Sequence, residues 1–125
     1  MAKKILIIDD EKDMRVYLGA LFKKAGYDVQ TAENGEEGLR AAAAAPPDLI
    51  TLDVLMPKKS GLRAYKDLRT NPVTREIPIV ILTGLAQQQD FFGDELGALS
   101  RPDAICEKPI VREDFLDTVR GIIGD

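Results

Sequence analysis

The chain has 125 residues, 45% hydrophobic and 30% charged, with a net charge of −4 at neutral pH. That balance describes one globular domain, able to bury about two-thirds of the surface its unfolded chain exposes, and excludes a disordered or fibrous chain. An acidic chain without a basic stripe argues against direct nucleic-acid binding, and the lack of histidine with a lone Cys106 excludes imidazole chemistry, internal disulfides and CxxC-type zinc sites.

In chain order, Lys4 to Ile8 reads as a strand, and Asp9 and Asp10 follow it. A helix is predicted from about Glu11, with Met14, Leu18, Leu21, Phe22 and Ala25 on one face and Gly26 ending it. Tyr27 to Thr31 is a second, less apolar strand suited to an edge. Asn34-Gly35 opens a second helix carrying Leu39 and the alanines 41–45, and Pro46-Pro47 ends it, since neither can continue a helix. Leu49 to Leu52 is a third strand, closed by Asp53. A third helix runs from about Ser60, shows Leu62, Tyr65 and Leu68 at helical spacing, and stops near Asn71-Pro72.

Ile77 to Leu82 is a fourth strand, closed by Thr83. Segment 86–99 is the weakest helix, interrupted by Gly93 and Gly97. Asp103 to Glu107 is a fifth strand, closed by Lys108-Pro109. The last helix turns Phe115, Leu116, Val119, Ile122 and Ile123 inward.

This alternation predicts an α/β fold, a doubly wound (βα)5 with a parallel five-stranded sheet, as a single domain over 1–125 with no effector domain. The three most apolar strands belong in the centre, buried on both faces. Right-handed crossovers with one reversal of strand order then give the flavodoxin-like order 2-1-3-4-5. Strands one and three become neighbours at the switch point, and Asp9, Asp10 and Asp53 converge there. No run reaches the length of a membrane span, the N-terminal apolar run is too short for a signal peptide, and the chain reads as cytoplasmic.

Each of these polar residues also has an ordinary reading. Asp9 or Asp10 can cap the first helix, Thr83 can bond locally at a strand end, and Lys108 can be a solvated charge. Their coincidence at one sheet edge points instead to phosphoryl chemistry. Carboxylates about 4 Å apart repel by roughly 4 kcal/mol at an effective dielectric near 20. A hard divalent cation such as Mg2+ removes that conflict and can hold a phosphoryl group for attack by an aspartate oxygen. A lysine and a hydroxyl would meet the remaining phosphoryl oxygens, and Gly84 leaves room beside the backbone.

From end to end the chain resembles the receiver domain of two-component response regulators, of the chemotaxis-regulator kind. The residues that carry the resemblance are Asp9-Asp10, Asp53 with Met56-Pro57 and Gly61 downstream, Thr83-Gly84 and Lys108-Pro109. It implies that Asp53 accepts a phosphoryl group from a sensor histidine kinase or a phosphotransfer protein. Asp9, Asp10, Asp53 and the backbone carbonyl of Leu55 would hold Mg2+ (or Mn2+), and Thr83 and Lys108 would bind the phosphoryl group. A cis Lys108-Pro109 bond is common in that family.

The resemblance also implies a signalling switch rather than a turnover enzyme. Thr83, Ile105 and Lys108 would link the phosphate to a face made by the fourth predicted helix, the fifth strand and the last helix, where a downstream protein binds. A phosphorylation-dependent dimer is compatible with this. Ile105 departs from the aromatic residue many receivers carry three positions before the lysine, which puts ring-based coupling in doubt. The stretch 93–103 is longer and more irregular than usual, reading as a tolerated insertion or an output surface next to Phe91-Phe92. Leu55 and Leu85 would flank the phosphoryl group with apolar surface, and we expect them to slow self-dephosphorylation. Three other readings are a receiver-like scaffold that is never phosphorylated, an aspartyl-phosphate phosphatase of the haloacid-dehalogenase kind, and a flavin carrier on the same sheet. The phosphatase expects a D-x-D after the first strand and the flavin carrier a hydroxyl- and glycine-rich phosphate loop there, where this chain has Asp9-Asp10-Glu11.

Overall fold

The structure is a computed structural model that describes residues 2–53, 60–83 and 102–124. Five strands, β1 (Lys4–Ile8), β2 (Asp28–Ala32), β3 (Leu49–Asp53), β4 (Ile79–Thr83) and β5 (Ala104–Glu107), form one parallel sheet in the order β2-β1-β3-β4-β5. Helices α1 (Lys12–Lys24), α2 (Gly35–Ala44), α3 (Ser60–Thr70) and α4 (Arg112–Ile123) are the helices among the described residues. The predicted class and strand order are both observed. The helix predicted over 86–99 lies outside the described residues.

Alternation along the central strands sorts their side chains into two cores. Leu6, Ile8, Ile50, Leu52, Ile79 and Ile81 pack with Ala42 of α2 and Ala64, Tyr65 and Leu68 of α3. On the other face Ile5, Ile7, Leu49, Val80 and Leu82 meet Leu18 and Phe22 of α1 and Phe115, Val119 and Ile123 of α4. Each fully buried Leu or Ile contributes roughly 1.5–3 kcal/mol, so the β1, β3 and β4 runs anchor both layers. β2 is the edge expected from its mixed composition, with exposed Asp28 and Thr31.

Several boundaries differ by one or two residues from the sequence reading, among them the end of β2 at Ala32 and the start of β5 at Ala104, and three have a clear local reason. Tyr27 lies just past α1 and closes its last turn, so β2 begins only at Asp28. Its N–H donates to the Phe22 carbonyl at 3.0 Å, and the Gly26 N–H donates to the Lys23 carbonyl at 3.0 Å. This pair of bonds closes a helix through a left-handed residue, and Gly26 has a φ of 100°. Ile77 is buried but donates to the Thr74 carbonyl in a turn, and Pro78 has no N–H to give, so β4 begins at Ile79. β3 runs one residue further than its apolar run, because Asp53 pairs with Leu82.

Asn34 starts α2 as expected, its side chain accepting the Glu37 N–H at 2.8 Å. Gly38 lets that helix approach β1, since a Cβ there would lie 2.4 Å from Ile8 Cδ1 and 2.7 Å from its Cγ1.

Candidate functional site

Strand register assembles the site. Ile8 lies opposite Leu52 across β1 and β3, so Asp9 and Asp53, each one residue further on, emerge side by side at the C-terminal sheet edge. Asp9, Asp10, Glu11 and Asp53 each bring a carboxylate oxygen within 4.8 Å of the others. Asp9 and Asp53 are buried, whereas Asp10 and Glu11 are exposed. From beyond β5, Lys108 places its Nζ 3.0 Å from Asp53 Oδ2. Its backbone N–H donates to the Thr83 carbonyl at 2.9 Å, tying the ends of β4 and β5 together. Thr83 is fully buried, and the Lys108-Pro109 bond is cis.

Asp9 is held on several sides. Its N–H donates to the Ala32 carbonyl at 3.1 Å, its carbonyl accepts Arg15 Nη1 at 2.8 Å, and its Oδ1 accepts the Glu11 N–H at 2.9 Å. Asp9 Oδ1 therefore makes a local turn bond just ahead of α1, and it is not the helix cap of the ordinary reading, since the N-cap is Glu11 and no side chain caps that end. The other carboxylate oxygen, Oδ2, is buried with no hydrogen-bond partner among the described residues. Burial drives the Asp9 carboxyl from 3.8 up to about 6, against the pull of the Glu11 N–H. The Asp53 charge pushes it further up and the Lys108 charge opposes this.

Among the described residues, four carboxylates against one ammonium give this edge an excess of negative charge. A buried carboxylate oxygen with nothing to bond is costly unless a proton or a cation satisfies it. The donors are all hard oxygens, two of them on exposed, adjustable side chains, which is the set a hydrated Mg2+ accepts. The oxygen donors of Asp9, Asp10, Glu11 and Asp53 therefore fit a divalent cation.

The structure thus brings together Asp9, Asp10, Asp53, Thr83 and Lys108, the residues singled out in the sequence. Ile105 lies in β5 opposite Ile81, half-buried. Leu55, Met56-Pro57, Gly84, Leu85 and Phe91-Phe92 lie outside the described residues. Glu11 was not singled out as a ligand, although it directly follows Asp9-Asp10 and that adjacency was the available signal. Arg15 was not singled out either; nothing in its sequence context marks a lysine- or arginine-type residue on α1 as a partner of Asp9.

The comparisons agree with this geometry. The family model for the response regulator receiver domain matches residues 5–120. The alkaline phosphatase synthesis transcriptional regulatory protein PhoP of Bacillus subtilis (strain 168) is 39% identical over 124 residues, 98% of this chain and 49% of its own length. PilH of Pseudomonas aeruginosa is 32% identical over 97% of this chain and 98% of its own. The chain thus spans about half the length of the first and almost all of the second. Among solved structures, the receiver domain of the sensor histidine kinase PA1611 from Pseudomonas aeruginosa PAO1 superposes with a TM-score of 0.85 at 26% identity, covering 100% of both chains. That structure has a magnesium ion coordinated in its active-site cleft.

Proposed function

This chain belongs to the response regulator receiver domain family, and on that premise we propose that it is a phosphorylation-driven switch with Asp53 as its phosphoacceptor. The observation that carries the reading is the setting of Asp53. It is buried at the switch point of the sheet, bonded to the Lys108 ammonium at 3.0 Å and backed by three further carboxylates. In this reading a sensor histidine kinase or phosphotransfer protein supplies a phosphohistidine. An Asp53 oxygen forms the bond to phosphorus while the phosphorus–nitrogen bond of the donor breaks, and the electron pair returns to the imidazole. Lys108 holds the carboxylate in place and meets the incoming charge, and Thr83 receives a phosphoryl oxygen on the β4 side. A bound Mg2+, held by Asp9, Asp10, Asp53 and the Leu55 carbonyl, would supply charge neutralisation between the acids and the phosphoryl oxygens.

The product is a modified side chain and not a released molecule, so the role is signalling rather than turnover. Moving a two-state surface from 1:99 to 99:1 takes about 5.5 kcal/mol of differential interaction. A new dianion beside Lys108 and a divalent cation supplies charge-assisted interactions of that order. The output face we favour includes β5 and α4. There Cys106, Pro109, Ile110, Val111 and Phe115 line a groove of about 200 Å³, and Val111 is 61% exposed. A downstream protein would bind there. An unpaired thiol at Cys106 suits a cytoplasmic setting.

Acetyl phosphate with Mg2+ tests the reading, with the labelled chain weighed intact. The expected result is a single phosphoryl group per chain, lost in Asp53→Asn and lost when the metal is chelated. Undiminished labelling of Asp53→Asn would overturn the assignment. Steady hydrolysis of a phosphomonoester would favour the phosphatase reading.

A further inference from the structure

We infer that Arg15 is a positioning residue for cation binding, acting through the main chain of Asp9. The inference rests on the reading above, in which the acidic cluster holds Mg2+. Three bonds hold Asp9, and two of them come from main-chain N–H and C=O groups that the sheet and the turn provide in any case. The third is from a side chain outside the cluster. Arg15 Nη1 donates to the Asp9 carbonyl at 2.8 Å, and the other arm, Nη2, lies 3.5 Å from Glu33 Oε1.

The guanidinium thus bridges two turns that meet at the site. One is the β1–α1 turn that carries Asp9, Asp10 and Glu11. The other follows β2, whose last residue, Ala32, already accepts the Asp9 N–H. Arg15 is only 14% exposed along its side chain, whereas Glu33 is 67% exposed. An ion pair so open to water contributes little by itself. The Asp9 carbonyl bond is the shielded half of the bridge, so the effect of Arg15 falls on Asp9.

The consequence for the cation follows from the geometry of Asp9. With its N–H, carbonyl and Oδ1 all occupied, the carboxylate has one oxygen, Oδ2, without a hydrogen-bond partner among the described residues. Releasing the carbonyl would let the turn relax and that oxygen drift from the cluster, where all four acids now reach within 4.8 Å of one another. Residues that orient a metal ligand without touching the metal typically change its affinity by about 10–100-fold. A planar fork can serve the carbonyl and the carboxylate together, and an ammonium cannot hold both in the same way.

Calorimetric titration with MgCl2, run well below the unfolding transition, tests this on wild type, Arg15→Met, Arg15→Lys and Glu33→Gln. Arg15→Met should bind Mg2+ about tenfold more weakly. Its Asp53 labelling by acetyl phosphate should be slow at limiting Mg2+ and return to the wild-type rate at saturating Mg2+. Arg15→Lys keeps one donor for the carbonyl and should be weakened about threefold. Glu33→Gln should shift affinity less than either, because its carboxylate is exposed. Mg2+ affinity within twofold of wild type in folded Arg15→Met and Arg15→Lys overturns the inference. If the wild type does not bind Mg2+ at all, the underlying reading of the cluster fails instead, so the two failures are distinguishable.

Discussion

The two ends of this sheet both draw charged side chains toward the core, and they treat them in opposite ways. At the N-terminal ends of β4 and β5, Arg69 is almost fully satisfied. It donates to the Tyr65 hydroxyl at 3.1 Å, to the Arg75 and Ile77 carbonyls at 3.0 and 2.9 Å, and to Asp103 Oδ2 at 3.1 Å. Asp103 in turn accepts the Ile79 N–H at 3.0 Å, and the guanidinium carbon lies 5.3 Å from the Tyr65 ring centroid. At the C-terminal ends, among the described residues, four carboxylates share one ammonium and Asp9 Oδ2 has no partner. One end is closed by the protein itself. The other is left incomplete, which is what a site needs if a cation and a phosphoryl group are to complete it.

The contrast can be broken by measuring the sign of mutational effects at each end. The largest expected effect is at the closed end. Arg69→Met should destabilise the fold by about 3 kcal/mol, because it strands the Ile77 carbonyl and leaves Asp103 without its cation. The midpoint of urea unfolding reads this, and an unchanged midpoint would mean that the clamp is ornamental.

At the open end the sign should reverse. The Asp9 carboxyl is raised from 3.8 to about 6, so the fold favours its protonated form. That contribution is fully present below about pH 4 and is lost as pH rises through 6. Asp9→Asn, compared with wild type in chelator, should therefore be more stable at pH 7 by up to about 3 kcal/mol, with the gap closing toward pH 4. If Asp9→Asn is less stable at pH 7, the open end is not electrostatically strained.

Adding Mg2+ sharpens the same comparison. Wild type should gain stability with Mg2+ concentration, by about 2.7 kcal/mol at a hundred times the dissociation constant. Asp9→Asn should gain much less. Thermal unfolding with and without MgCl2 decides it, and an equal gain in both proteins would remove Asp9 from the cation site. The smallest effect concerns Thr51, which sits two residues before Asp53 with a buried hydroxyl lacking a partner among the described residues. Thr51→Val should be neutral or stabilising by about 1 kcal/mol in chemical denaturation. A clear loss of stability would show that this hydroxyl is satisfied after all.

Much of this was legible in the residues. Ile5-Leu6-Ile7-Ile8, Leu49-Ile50-Thr51-Leu52 and Ile79-Val80-Ile81-Leu82 are continuous apolar runs, and only strands covered on both faces need such runs. Central placement of those three runs sets the strand order, and that order brings Asp9, Asp10, Asp53, Thr83 and Lys108 to one edge. The boundaries at Tyr27 and Ile77 were less legible, because a left-handed helix ending and a turn consume residues that look strand-like in composition. Gly26 and Pro78 were the signals available for each.

The networks were not legible at all. Arg69 reaches Asp103 across 34 positions, and Lys108 reaches Asp53 across 55. Such pairings depend on which elements the sheet brings together and on how far a side chain extends once it is there.

The sequence by itself determined the alternation of strands and helices, the central position of β1, β3 and β4, and the chemical character of the edge where the acids gather. These follow from short-range periodicity and from the need to bury apolar surface. Tertiary structure alone decided that Asp9 keeps one oxygen unpartnered among the described residues, that Glu11 joins the cluster, and that Arg15 clasps the Asp9 carbonyl while Arg69 closes the opposite end. Each of those outcomes depends on distances and hydrogen-bond geometry between side chains and main chain in the folded molecule. No pattern along the chain encodes distances between segments that meet only after folding.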